Sequence, residues 1–223
     1  MEGGLDNIDC VKTPRIRMAK EAIEVLMQLL QEEHNYKTLV IDTIDWLEKA
    51  ICKEIAEFYG KDTVEEIGYG KGYPLVVNRW GEFLDAFEAL RVKKNMTILM
   101  LSHAEIKKFT PPIGDEYDMY SPKLYGKKDK TQTSLALILE YADIIMFANY
   151  KTITKEVGEG FSKRKQAIAN IERVLYTDAC NPAFIAGNRY GLKSEMPFSF
   201  EVFATDFAEK IKTTTPTMEK KNV

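Results

Sequence analysis

The stretch Lys37-Thr38-Leu39-Val40-Ile41-Asp42-Thr43-Ile44-Asp45-Trp46-Leu47-Glu48 constrains the fold more than any other. Three large apolar residues run directly into an acid, and a helical pattern begins within a few residues. An unbroken apolar run suits a strand covered on both faces, as in a parallel sheet flanked by helices. Asp42 then falls at the strand's carboxyl edge, the rim where open α/β sheets bind their ligands. A strand-ending acid serves equally well as a turn or N-cap residue, so a second feature has to support the ligand reading.

That feature is another apolar strand, Thr97-Ile98-Leu99-Met100-Leu101, which ends in Ser102-His103. Residues 49–96 carry a helical pattern long enough for a right-handed crossover that leaves the two strands parallel. An acid and a polar pair at the ends of adjacent parallel strands is how P-loop ATPases place a metal ligand (the Walker B acid) and a phosphate sensor. Ser-His at a strand end can also do no more than satisfy backbone groups. The phosphate loop itself is missing from these residues. No G-x-x-x-x-G-K-[ST] occurs, and Gly70-Lys71 is followed by Gly72 with no apolar strand ahead of it.

A chain of 223 residues has ample material for one buried core. Its formal net charge of −3 provides no global basic field, so any contact with nucleic acid must be local. Cys10, Cys52 and Cys180 lie far apart, and the chain has only 2 histidines. This argues against a zinc site and a disulfide scaffold and points to a reducing cytoplasm. No apolar run reaches membrane-spanning length, and no signal-peptide pattern opens the chain.

Apolar spacing predicts helices over residues 14–34, from Asp42 to a C-cap at Gly60, over 75–94 and over 133–140. The glycine-rich segment 67–73 reads as a flexible connector, with a ligand loop as the alternative. Residues 104–130 read as a long polar loop. Strands are expected over 144–150, 173–177 and 183–186, with a basic, glycine-containing hairpin loop over 151–165. A helix over 200–212 precedes a tail expected to be disordered.

At this point the residues resemble a known group. The carriers are Glu2-Gly3-Gly4-Leu5, the stretch from Lys37 to Thr43, residues 67–73, Ser102-His103-Ala104 with Lys107, Tyr120-Ser121-Pro122-Lys123-Leu124, residues 142–150 and 173–177, and Asn188-Arg189-Tyr190-Gly191-Leu192. Together they resemble the phage and prophage AAA-family ATP-binding proteins with a RecA-like core, often grouped with single-strand annealing recombinases. The resemblance covers roughly residues 1–205, with 206–223 as helix end and tail. It implies an α/β fold: a RecA-like P-loop NTPase core with a mostly parallel sheet, flanking helices and a C-terminal β-hairpin. The first strand, the phosphate loop and its helix, and a second strand would precede Glu2. A strand–helix–strand unit needs about 30 residues or more, so the chain is expected to be an N-terminally truncated form, with genuine loss of ATP binding as the alternative.

The resemblance also implies roles. Asp42 would hold Mg²⁺, directly or through water, with Asp42, Thr43 and Ser102 contacting the nucleotide. Glu2 would polarise the attacking water, or be an exposed terminal acid. Ser102 and His103 would read the γ-phosphate. Arg189 would reach a neighbour's nucleotide in a homo-oligomer, although Gly187 stands where the family usually has lysine; a solvated surface arginine is the alternative. Asp45 is read as capping or solvating the following helix. Lys107, Lys108, Lys123, Lys127, Lys128 and Lys130, interleaved with Phe109, Tyr117, Tyr120 and Tyr125, are candidates to bind single-stranded DNA, or form a solvated face. A second basic stretch runs through Lys151, Lys155, Lys163, Arg164 and Lys165. The function implied is an ATP-binding protein or ATPase of a phage recombination or annealing system in the bacterial cytoplasm. It would use ATP and Mg²⁺, with a single-strand-binding or recombination protein as partner. The alternative is a non-catalytic module that binds single-stranded DNA or a recombinase without nucleotide.

Overall fold

The computed structural model describes residues 8–126, 132–157, 164–178 and 181–214. They form two compact units, Met1–Glu105 with Pro122–Tyr141, and Ile106–Ser121 with Ala142–Val223.

In the first unit, α1 spans Ala19–Gln31 and buries Ala19, Ala22 and Leu26. It starts later than the periodicity suggests. The Glu21 carboxylate accepts hydrogen bonds from the Arg17 and Met18 amides at 2.7 and 3.3 Å, which fixes the first turn here rather than at Pro14. Strand β1 (Thr38–Ile41) runs into α2 (Ile44–Phe58). Gly60, at φ +63°, ends that helix. The Lys61 amide reaches the Ala56 carbonyl at 2.9 Å and the Gly60 amide the Glu57 carbonyl at 3.0 Å, a Schellman closure that needs a left-handed residue. Helix α3 (Gly72–Lys94) buries Val76, Trp80, Phe83, Leu84, Phe87 and Leu90, the stripe its sequence spacing predicts. Strand β2 (Thr97–Met100) then pairs parallel with β1, from Thr38 opposite Thr97 to Ile41 opposite Met100.

The β1–β2 pair shows the two-residue alternation of a strand. Leu39, Ile41, Ile98 and Met100 face the helical core, whereas the paired residues Val40 and Leu99 are exposed. Helix α4 (Ser134–Tyr141) adds Ile138 to the same core. The segment 67–73 is not a loose connector. It follows a 3-10 turn at Val64–Glu66, forms another at Gly68–Gly70, buries Ile67 and stacks Tyr73 on Tyr125 with ring centroids 3.8 Å apart.

The second unit is antiparallel wherever its register is defined by extended ladders. Strands β3 (Ala104–Phe109) and β4 (Tyr117–Pro122) form a two-stranded sheet within the stretch expected to be an irregular loop. Strand β5 (Ile144–Ile145) pairs antiparallel with β8 (Gly187–Asn188). The long strands β6 (Phe147–Val157) and β7 (Arg164–Tyr176) pair antiparallel, and β9 (Glu195–Pro197) joins the β7 edge. Residues 183–186 are not a strand; Phe184 makes an isolated bridge to Tyr120. Phe147 stacks between Tyr120 and Phe184 at 5.1 and 4.9 Å, with Tyr176 against Phe184 at 4.7 Å. Helix α5 spans Phe200–Thr214.

The chain is therefore mixed α/β, and the expected mostly parallel sheet needs correcting. Among the described residues β1 and β2 form a parallel ladder, while β5 and β6 pair antiparallel with β8 and β7. The physical reason lies in the connections. Only the β1-to-β2 link contains a long helix able to return the chain in the same direction.

Candidate functional site

The carboxyl rim of β1 and β2 is closely stitched. The Leu101 amide donates to the Ile41 carbonyl at 3.0 Å, and the Ile44 amide donates to the Leu101 carbonyl at 2.8 Å. Asp42 and Thr43 occupy the turn between those two bonds, joined by a cis peptide, and Ser102 follows Leu101 directly. The structure thus brings Asp42, Thr43, Ser102 and His103 to one edge. Asp42 is half-buried, and its carboxylate makes no hydrogen bond or ion pair with another described residue.

His103 is held from several sides. Its amide donates to Asp45 Oδ1 at 3.2 Å, and its Nδ1 lies 3.0 Å from Asp45 Oδ2. Its carbonyl accepts from the Lys123 amide at 2.8 Å and from the Ser102 hydroxyl at 3.0 Å. The Asp45 side chain is 3% exposed and that of His103 43%, so a buried acid carries an accessible imidazole. The expected capping role for Asp45 is therefore corrected: it lies inside the first turn of α2, turned to His103 rather than to its own helix end. Burial opposes Asp45's charge, but the neighbouring Thr43 hydroxyl and the His103 ring, amide and charge outweigh it and hold the carboxyl below the usual aspartate range. The Thr43 Oγ1 is buried, and among the described residues it meets no partner in strict hydrogen-bonding geometry.

Glu48, one turn further along α2, is a second buried acid that the sequence reading passed over. It accepts from Trp80 Nε1 at 3.3 Å and from the Tyr125 amide at 2.8 Å, tying α2 to α3 and to the segment after β4. Removing it by Glu48→Ala strands both donors in the interior. The expected loss of stability is about 2–4 kcal/mol, against a smaller loss for Glu48→Gln, read from urea unfolding. Beside it, a cleft of about 450 Å³ is lined in part by Lys49, Cys52, Glu65, Tyr73 and Tyr125. Burial, with Glu48 and Glu65 nearby, pushes the Cys52 thiol up to about 12, so it stays protonated and unreactive at neutral pH.

The other sequence candidates do not join this edge as one set. Lys107 and Lys108 lie on β3 and Tyr120 on β4, in the second unit, whereas Lys123 and Tyr125 belong to the first. One face of Tyr125 is taken by Tyr73. Arg189 pairs with Asp143 at 2.9 Å, with both side chains largely exposed. Its neighbour Asn188 closes the adjoining loop, accepting from the Tyr190 and Leu192 amides and donating to the Thr177 carbonyl. Glu2, Lys127 and Lys128 lie outside the described residues, as do Lys130, Lys163 and the tail from 215.

A mixed α/β chain with an acid and a polar pair at one parallel-strand rim belongs to the broad class of nucleotide-binding folds in which ligands sit beyond strand ends. The family profile for the AAA domain matches residues 1–190, and the chain belongs to that family. No curated protein and no solved structure matches it. An AAA domain implies ATPase-type nucleotide use, with ATP and typically Mg²⁺. The rim fits such an ion. Mg²⁺ takes one or two carboxylates and completes its shell with phosphate and water, and Asp42 presents a half-buried carboxylate that no other described residue engages. Among the described residues no cluster of three His, Cys, Asp or Glu forms an all-protein cage.

Proposed function

We propose that this chain carries the metal-organising and phosphate-reading rim of an ATPase in a phage recombination or single-strand annealing system. In this reading it works as a homo-oligomer on single-stranded DNA in the bacterial cytoplasm. The observation that carries the reading is the parallel β1–β2 pair with Asp42 and Ser102-His103 at the same end. Asp42 holds Mg²⁺, and Ser102 and His103 face the terminal phosphate. The bound ion supplies charge neutralisation at the transferring phosphoryl group. The DNA side is supported by Lys107 and Lys108 on β3, a strand whose end residue Phe109 packs against Tyr117 at 5.3 Å.

The test is ATP turnover by the protein with and without Mg²⁺ and a single-stranded oligonucleotide. Mg²⁺-dependent hydrolysis stimulated by the oligonucleotide is the expected result. Salt-sensitive oligonucleotide binding that ignores ATP, with no turnover, would overturn the ATPase reading in favour of a non-catalytic DNA-binding module.

A further inference from the structure

The rim contains a histidine whose orientation is set from behind by a group that touches no substrate. A carboxylate can only accept hydrogen bonds, so the nitrogen of His103 that faces Asp45 must carry the proton. Asp45 Oδ2 lies 3.0 Å from Nδ1 and Oδ1 lies 3.3 Å from it, while Oδ1 also takes the His103 amide at 3.2 Å. The acid is 3% exposed and sits in the first turn of a helix packed in the core, so it cannot swing away. The His103 backbone is further pinned through its carbonyl by the Lys123 amide and the Ser102 hydroxyl. A half-exposed imidazole is thereby fixed in ring plane and in tautomer at the edge that bears Asp42.

We propose that Asp45 is the positioning residue for His103, locking its Nδ1–H tautomer and turning Nε2 to the terminal phosphate of the nucleotide. The role at the phosphate rests on the function proposed above; the hold of Asp45 on His103 does not. Outer partners of this kind fix which nitrogen of a histidine is presented, and their loss typically costs about 10- to 100-fold in activity or affinity. A carboxylate that stays ionised at neutral pH suits the task, and the balance of forces on Asp45 favours that state.

The chain has only 2 histidines, and the structure assigns them opposite tautomers. His34 has Nε2 at 2.9 Å from the Leu29 carbonyl, so its proton is on Nε2, with Nδ1 buried and meeting no partner among the described residues. A long-range proton–nitrogen spectrum of the wild-type chain should therefore show one Nε2–H ring and one Nδ1–H ring, with a His34→Gln variant identifying which is which. Finding His103 as Nε2–H overturns the proposal without any variant at Asp45. In Asp45→Asn the amide can offer a donor to Nδ1, and the His103 signals are expected to shift toward the other tautomer. Unchanged His103 signals in that variant also overturn the proposal. Asp45→Asn should also lower kcat for ATP by about 10- to 100-fold with little change in KM. Adding it to His103→Gln should cost nothing more; additive losses would show that Asp45 acts elsewhere. Expected spectra together with no ATP turnover in the wild type would sustain the hold on His103 and sink the nucleotide reading.

Discussion

Replacing Asp42 by Asn should reduce Mg²⁺-dependent ATP turnover by about 100-fold or more, while leaving thermal unfolding almost unchanged. The activity loss follows from charge. A neutral amide of nearly the same shape keeps the turn but no longer attracts a divalent cation, and electrostatic contacts at a transferring group are commonly worth about 10²–10³ in rate. The unchanged stability follows from the surroundings. Asp42 is half-buried and engages no other described side chain or amide, so little native interaction is removed. The neighbouring acid behaves differently, because Asp45 is buried and bonded to His103, and its loss should disturb the structure as well as the rate. Turnover at the wild-type level in Asp42→Asn, with an unaltered Mg²⁺ requirement, would place the metal on another residue. A collapse in stability would mean that Asp42 supports the fold instead.

How much of this could be read beforehand depends on whether the signal was local. The strand–acid–helix order from Leu39 to Glu48 and the apolar stripe of α3 are local patterns, and both appear in the structure as the spacing predicts. Gly60 as a helix end is also local, since its left-handed φ is a property of glycine itself. The site's supporting acids were not legible in that way. Asp45 and Glu48 have the spacing of ordinary solvated residues in a first and second turn, and only distant partners reveal their burial. His103 lies 58 positions from Asp45, and Tyr125 lies 77 from Glu48. The β3–β4 pair escaped for a similar reason. Residues 104–130 are rich in proline, glycine and lysine and read as loop, yet β3 and β4 pair with each other across that stretch. Strand propensity gave way there to cross-strand partners and to the Tyr120–Phe147–Phe184 stack.

Gly72 gives the sharpest stability prediction, because the segment around it reads as a mobile connector and is in fact tightly packed. A Cβ at that position would lie 2.0 Å from the Val64 carbonyl oxygen and 2.8 Å from its carbon. Backbone atoms cannot rotate out of the way as a side chain can. Either the first turn of α3 or the 3-10 turn at Val64–Glu66 must move, and the buried residues Val64 and Ile67 move with it. Gly72→Ala should therefore cost about 2–4 kcal/mol, which for a chain of this size lowers the melting temperature by roughly 6–12 °C. Gly81, in the middle of the same helix, meets nothing within 4 Å. There the added methyl group restricts the unfolded chain and improves helix propensity, so Gly81→Ala should stabilise by about 0.5–1 kcal/mol. Melts of the two variants followed by circular dichroism should thus move in opposite directions. If Gly72→Ala unfolds at or above the wild-type temperature, α3 does not press on the Val64 carbonyl. Tyr73, one residue along, would then lose its fixed place against Tyr125.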